Sequence, residues 1–227
     1  MYYRFFSYHE AKSFIDNLTS YLDFKPTDQL LDLACGKGRH SIYLNQKGYN
    51  VTGIDLSPQA IQLANRFAND RLLFLVHDMR KPIFQNSFDY ILNLFTSFGY
   101  FEKEEENIQV LQSVHQALKK NGKLVLDFFN PTKVTTHLVK KEEKIIDNIQ
   151  FNITKEIKDN FLLKSIQVID NDKKYEFIER VQLIQQSDFE RYFKQSSLKI
   201  LNVLGNYNLD SYDSNESERM IFITCKI

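Results

Sequence analysis

The chain has 227 residues, 43% of them hydrophobic and 14% aromatic, enough apolar material for a packed core and far from the composition of a disordered segment. Lysine plus arginine equals aspartate plus glutamate at 29 each, so no global field exists to hold a polyanion, and nucleic acid is not the expected partner. Cys35 and Cys225 lie far apart, which gives neither a disulfide framework nor metal-ligand spacing and points to a reducing, cytoplasmic setting.

The chain opens on Tyr2, Tyr3, Arg4, Phe5 and Phe6, not on the basic-then-apolar pattern of a secretory signal. No later run approaches membrane-spanning length. Phe14, Ile15, Leu18, Tyr21 and Leu22 recur at three- and four-residue steps and predict a helix packed on a sheet. Pro26 and Asp28 mark a turn, and residues 29–33 read as the first strand. A glycine-bearing turn then opens into a helix that Gly48 closes. Residues 49–54 form the second strand, ending in Asp55, and Ser57-Pro58 caps the helix that carries Ile61, Ala64, Phe67 and Ala68. The third strand, residues 72–76, runs into His77 and Asp78.

Residues 89–95 predict the fourth strand. A helix follows, with Glu102, Glu104, Glu105 and Glu106 at its start and Lys119-Lys120 at its end, both groups complementing the dipole. Its expected inner face is Ile108, Leu111, His115 and Leu118, with His115 a structural residue. The fifth strand spans residues 123–129 and stops at Asn130-Pro131. Between 144 and 184 the pattern changes to alternating stretches broken by Asp159-Asn160 and Asp170-Asn171-Asp172, the signature of antiparallel hairpins. Ser187-Asp188 caps a short helix, and residues 199–204 and 220–226 form two final strands.

The informative feature is spacing. Asp32, Asp55 and Asp78 fall 23 residues apart, each at the carboxyl end of a successive predicted strand. Right-handed crossovers put those ends on one rim of a parallel sheet. Asp55 sits where doubly wound folds hold a ribose through its hydroxyls, and the Gly36–Gly38 turn lets backbone groups approach the adjoining part of a ligand. A dinucleotide fingerprint would need a third glycine, but Arg39-His40-Ser41 follows Gly38, and no Walker-type Lys-Ser/Thr is present.

Taken together, Leu31-Asp32-Leu33-Ala34-Cys35-Gly36-Lys37-Gly38-Arg39-His40, Val51-Thr52-Gly53-Ile54-Asp55-Leu56-Ser57 and His77-Asp78-Met79-Arg80 resemble the first three motifs of class I S-adenosylmethionine-dependent methyltransferases. Residues 88–95 and 118–124 resemble that family's fourth-strand and pre-fifth-strand signatures. Phe95-Thr96-Ser97-Phe98-Gly99-Tyr100-Phe101 and the ending 205–227 look like a bacterial small-molecule branch with a sheet inserted after the fifth strand. Ala34 departs from the more usual glycine of the first motif.

The resemblance implies an α/β fold with a doubly wound, mostly parallel seven-stranded sheet of order 3-2-1-4-5-7-6. Residues 1–139 and 186–227 would form the core, and 140–185 an antiparallel lid. It implies S-adenosyl-L-methionine as cofactor. Ala34, Gly36 and Gly38 would line its methionine portion, with Asp32 near the amino end and Arg4 a partner for the carboxylate. Asp55 would hold the ribose, Leu56 the adenine, Asp78 and Met79 the adenine amine and ring, and Leu94 and Phe95 would lie beside the sulfonium. Phe98, Tyr100 and Asn130 would meet a small-molecule acceptor; His9, His40 and Tyr100 are candidates for a base. The alternatives are an RNA or protein methyltransferase, for which Lys140-Lys141 and Lys173-Lys174 are the candidate basic sites, and a non-catalytic cofactor-binding protein. No Asn-Pro-Pro-Tyr-like motif follows strand four, which disfavours DNA amino-methylation.

Overall fold

The computed structural model describes residues 8–146, 148–170 and 173–227; Arg4 and the aromatic residues around it lie outside them. The elements are α1 (Tyr8–Tyr21), β1 (Gln29–Leu33), α2 (Arg39–Gln46), β2 (Asn50–Asp55), α3 (Pro58–Ala64), β3 (Leu72–Val76), β4 (Phe88–Asn93), α4 (Glu104–Ala117) and β5 (Leu118–Phe129). Then come α5 (Pro131–Thr136), β6 (Lys141–Ile146), β7 (Ile149–Lys158), β8 (Phe161–Asp170), β9 (Lys173–Gln182), α6 (Gln186–Gln195), β10 (Leu198–Leu204) and β11 (Arg219–Lys226).

Seven strands form one sheet in the order β10-β11-β5-β4-β1-β2-β3. Because β6 to β9 pair separately, β10 and β11 are the sixth and seventh strands of this sheet, and the order is the expected one. All neighbours are parallel except β11, which runs antiparallel to both β5 and β10. Burial on both faces explains the near-continuous apolar strands. On one face Phe14, Ile15 and Leu18 of α1 pack with Leu44, Ile61 and Phe74 against Leu30, Leu92 and Val125. On the other, Val110, Leu111 and Val114 of α4 and Phe189 and Phe193 of α6 cover Ile91, Leu124 and Phe222.

The structure corrects the reading around the fourth and fifth strands. β4 ends at Asn93, and Phe95 and Thr96 turn away with φ of 57° and 59°. α4 ends at Ala117, and Lys119-Lys120 already belong to β5, where Leu118 pairs with Phe88. Lys119 therefore complements Asp89 at 2.7 Å, not the helix dipole. The inner face of α4 is Val110, Leu111, Val114 and Ala117, with Ile108 and His115 half-buried beside it. At the other end of α4, three glutamates occupy the first turn as expected, and Glu106 accepts the Lys103 N–H at 3.1 Å.

Two elements have no counterpart in the sequence reading. The short helix α5 is capped by Asn130, whose side-chain oxygen accepts the Thr132 N–H. β6, Lys-Glu-Glu-Lys-Ile-Ile, is an edge strand too charged to show a strand period. It opens a four-stranded antiparallel sheet, β6-β7-β8-β9, with a small core of Phe151, Ile153, Ile166 and Val168. This sheet is tied to the loop after β4. Gln182 donates its N–H to the Gly99 carbonyl at 2.8 Å and accepts from Asn107 Nδ2 at 2.6 Å, and Arg180 pairs with Glu102.

Candidate functional site

The strand order reverses between β1 and β4, so the crevice at their carboxyl ends is the place where open α/β sheets take ligands. The turn Ala34 to Gly38 forms one wall. The Cys35 N–H donates to the Ile54 carbonyl at 2.9 Å, and the Gly36 N–H donates to Asp55 Oδ2 at 2.8 Å. Gly36 has φ +56°, and a Cβ built on it would meet nothing within 4 Å, so the space over this backbone is open. Gly38, at φ +76°, leads into α2. A Cβ there would lie 2.6 Å from the Phe74 ring, and one on Gly53 would lie 2.7 Å from the same ring. The two glycines thus make a slot that the Phe74 side chain fills from β3. Ala34 adopts φ +63°, a left-handed conformation that a Cβ resists. Ala34→Gly should therefore raise stability by up to about 1 kcal/mol, read as a higher urea midpoint at unchanged slope.

Asp55 closes the second wall. Its other carboxylate oxygen accepts the Ser57 N–H at 2.8 Å, and Ser57 in turn caps α3 through the Ala60 N–H. Leu56 beside it is 68% exposed, an apolar side chain displayed on a polar rim. Asp32 is buried beneath the glycine turn, and the Ser41 hydroxyl of α2 donates to it at 2.5 Å. Burial pushes its carboxyl up to about 6, with Asp55 nearby adding to the rise and the Ser41 hydrogen bond opposing it.

The sign of that shift is testable. Between the ordinary value of 3.8 and about 6 the unfolded chain gives up this proton first, so ionising Asp32 subtracts stability as pH rises. Asp32→Asn should be more stable than wild type at neutral pH, by up to about 3 kcal/mol, and the difference should vanish in acid. Paired urea titrations across that range measure it; a difference that does not change with pH overturns the assignment.

The third acid is placed differently. Asp78 lies on the same rim, two residues beyond β3, but its carboxylate takes the Arg80 guanidinium (Nη2 at 2.6 Å) and the Arg80 N–H at 3.0 Å. Those hydrogen bonds hold its carboxyl below the usual range. Arg80 also grips Glu106, tying the β3 loop to α4. Met79 packs against the α4-side core. Asp32 and Asp55 are thus electrostatic neighbours, and Asp78 is turned toward α4.

Beyond β4, Leu94 is buried and Phe95 is half-buried. The Phe95 ring stacks on His40 at 4.7 Å and meets Tyr207 at 5.2 Å and Phe14 at 6.0 Å. The His40 ring is held on its Nε2 side. Burial pushes its imidazole down to about 3, and the Arg39 guanidinium faces Nε2 at 3.0–3.2 Å. Tyr100 is 44% exposed, and the side chain of His9 lies outside the described residues. Two acceptor-facing expectations are corrected. Phe98 is fully buried against Phe189, at 5.7 Å. Asn130 is fully buried with its amide committed: it donates to the Ser214 and Ser217 carbonyls, both at 2.8 Å, and accepts from Thr132 and Tyr212.

Sequence reasoning missed a buried polar cluster beside Phe95. Asp127 of β5, fully buried, pairs with Arg219 at the start of β11 at 2.7 Å. The missed signal is the acid itself: an aspartate inside Leu124-Val125-Leu126-Asp127-Phe128-Phe129 calls for buried donors or a cation to satisfy it.

Residues 30–122 match the family described as "Methyltransferase domain". A putative methyltransferase of Bacillus subtilis, YqeM, is 37% identical over 109 residues, 47% of this chain and 44% of that protein, so the matched stretch spans less than half of the relative. An S-adenosylmethionine-dependent methyltransferase of Clostridium acetobutylicum superposes with a TM-score of 0.85 at 21% identity, covering 100% of this chain and 94% of that one. S-adenosylmethionine-bound CalS10, an amino pentose methyltransferase of Micromonospora echinaspora, gives 0.77 at 17% identity, covering 99% and 93%. Residues 30–122 thus match a methyltransferase domain, and the chain as a whole shares its fold with these S-adenosylmethionine-dependent methyltransferases.

Proposed function

We propose that the chain transfers a methyl group from S-adenosylmethionine to a small-molecule acceptor. The observation that carries this reading is the wall at β1 and β2. There an open cradle over Gly36, a carboxylate anchored by two backbone N–H groups and a bare Leu56 lie side by side. These residues fit an adenosine. Asp55 has lone pairs left for two ribose hydroxyls, Leu56 offers an apolar platform to a base, and the Gly36 backbone lets the rest of the ligand approach. Asp32, once ionised, would favour the cofactor's ammonium. The cofactor supplies an already activated methyl group. The protein's share is alignment and exclusion of water, worth up to about 7–11 kcal/mol.

Neutral overall charge supports a small acceptor, as does the surface of the four-stranded sheet. Three of its lysines are paired with acids, Lys155 and Lys144 with Glu142 and Lys164 with Glu179, which takes them out of any track for phosphates. The sheet, tied to Gly99, would roof the acceptor. CalS10, which acts on an amino pentose, is a precedent for a small acceptor on this fold.

The test is incubation with methyl-labelled S-adenosylmethionine and separate pools of metabolites, bulk tRNA and protein. Label is expected in the metabolite pool. Transfer to tRNA or protein alone would overturn the reading of the acceptor, and cofactor binding without transfer to any pool would favour a non-catalytic role.

A further inference from the structure

The loop that leaves β4 starts with two consecutive non-glycine residues in the left-handed region, Phe95 at φ 57° and Thr96 at φ 59°. Such a pair is costly and persists only where its surroundings over-determine it. Here the surroundings are one buried carboxylate and its partners. The Phe95 N–H donates to Asp127 Oδ2 at 2.7 Å, and the Thr96 N–H donates to the Asp127 carbonyl at 3.1 Å. Arg219 donates through Nε to Asp127 Oδ1 at 2.7 Å and through Nη2 to Thr96 Oγ1 at 2.9 Å. The Tyr207 hydroxyl donates to Asp127 Oδ2 at 3.2 Å. Burial and the neighbouring carboxylate push that phenol up, so it keeps its proton and remains a donor.

Stability does not explain this arrangement, because a buried ion pair gains little over well-packed apolar residues. What an apolar pair would lose is the acceptor for the Phe95 N–H and the donor to Thr96. We propose that Asp127 and Arg219, with Tyr207, are positioning residues that lock the Phe95–Thr96 turn and thereby set Leu94 and Phe95 against the methyl group being transferred. The second half of this proposal rests on the cofactor reading above; the first half stands on the turn alone. The cluster acts through the turn. Arg219 comes to it because β11 pairs antiparallel with β5, Ile221 opposite Asp127, and the helix-side ring of Phe14 packs on Tyr207 at 4.4 Å to close it from α1.

The experiment uses the full chain and three variants: Asp127→Asn, the charge-free pair Asp127→Asn/Arg219→Gln, and the latter with Thr96→Gly. The double variant keeps a folded protein for study if an unpaired Arg219 prevents folding of the single one. Amide hydrogen exchange without cofactor reads the lock directly. Phe95 and Thr96 amides should exchange at least tenfold faster in the double variant, while β1 and β2 amides stay protected. Calorimetry with S-adenosylmethionine and S-adenosylhomocysteine reads the consequence, since the two differ by the methyl group. The preference between them should change at least tenfold, whereas a general loosening would weaken both alike. Thr96→Gly, which removes the Cβ that resists the turn, should restore most of that preference. Unchanged exchange at both amides would overturn the lock, and an unchanged preference with faster exchange would overturn its role at the methyl group. If wild type binds neither compound, the cofactor reading and the methyl-alignment half of the proposal fall together, and exchange alone decides the lock.

Discussion

Gly38→Ala should destabilise the protein by about 2–4 kcal/mol and abolish measurable binding of S-adenosylmethionine. Two costs add. A Cβ at φ +76° is strained by about 1 kcal/mol, and it also meets the Phe74 ring at 2.6 Å and Ala64 at 3.2 Å. The ring has no room to yield. The same Cδ1–Cε1 edge fills the slot over Gly53, at 2.7 Å from where a Cβ would stand, and the ring is buried in a cluster with Leu44, Ile61 and Leu72. The strain therefore passes into the turn Ala34–Gly38 and shifts the Gly36 backbone over which the cofactor is proposed to lie. Urea unfolding and calorimetry measure the two effects. Gly36→Ala provides the contrast: its Cβ would meet nothing, so it should cost only the backbone strain while still intruding on the ligand space. Equal stability of Gly38→Ala and wild type would overturn the account of the slot.

Asp55→Ala should weaken binding of S-adenosylmethionine at least tenfold, about 1.4 kcal/mol, and on the order of a hundredfold if the wall itself loosens. The carboxylate has two jobs. It is proposed to hold the ribose hydroxyls, and it joins the glycine turn to α3 by accepting the Gly36 and Ser57 N–H groups. Asp55→Asn should be no rescue, because one side of an amide presents a donor to a backbone donor. Calorimetry on both variants tests this. An unchanged affinity in Asp55→Ala would remove Asp55 from the binding wall.

The half of the molecule that carries the proposed cofactor wall was legible because its rules are local. Alternating strands and helices, a Ser57-Pro58 cap and glycines at turns are each decided within a few residues, and β3 begins and ends where its apolar run does. The α4–β5 junction was misread because the Lys119-Lys120-Asn121-Gly122 cluster has the look of a helix terminus. Pairing of Leu118 with Phe88 overrides that local preference. Phe98 and Asn130 were placed at the acceptor because loops after strands four and five line the crevice in such folds. Their fates were settled by α6 and by the loop around Ser214 to Ser217, both distant in sequence. The Asp127–Arg219 pair is likewise 92 residues apart and exists only through the β5–β11 register.

The side-chain bonds from Asn107 to Gln182 and from Arg180 to Glu102 set a rule for recombining this protein with its relatives. A chimera that swaps the four-stranded sheet at its own ends would import foreign residues opposite Asn107 and Glu102 and break the seam. Exchanging the segment from before Phe95 through Gln185 as one block would carry both partners of each bond together. It would leave Asp127, inside the block, to meet an unfamiliar Arg219, so crossovers that also include β11 should give the larger share of folded progeny.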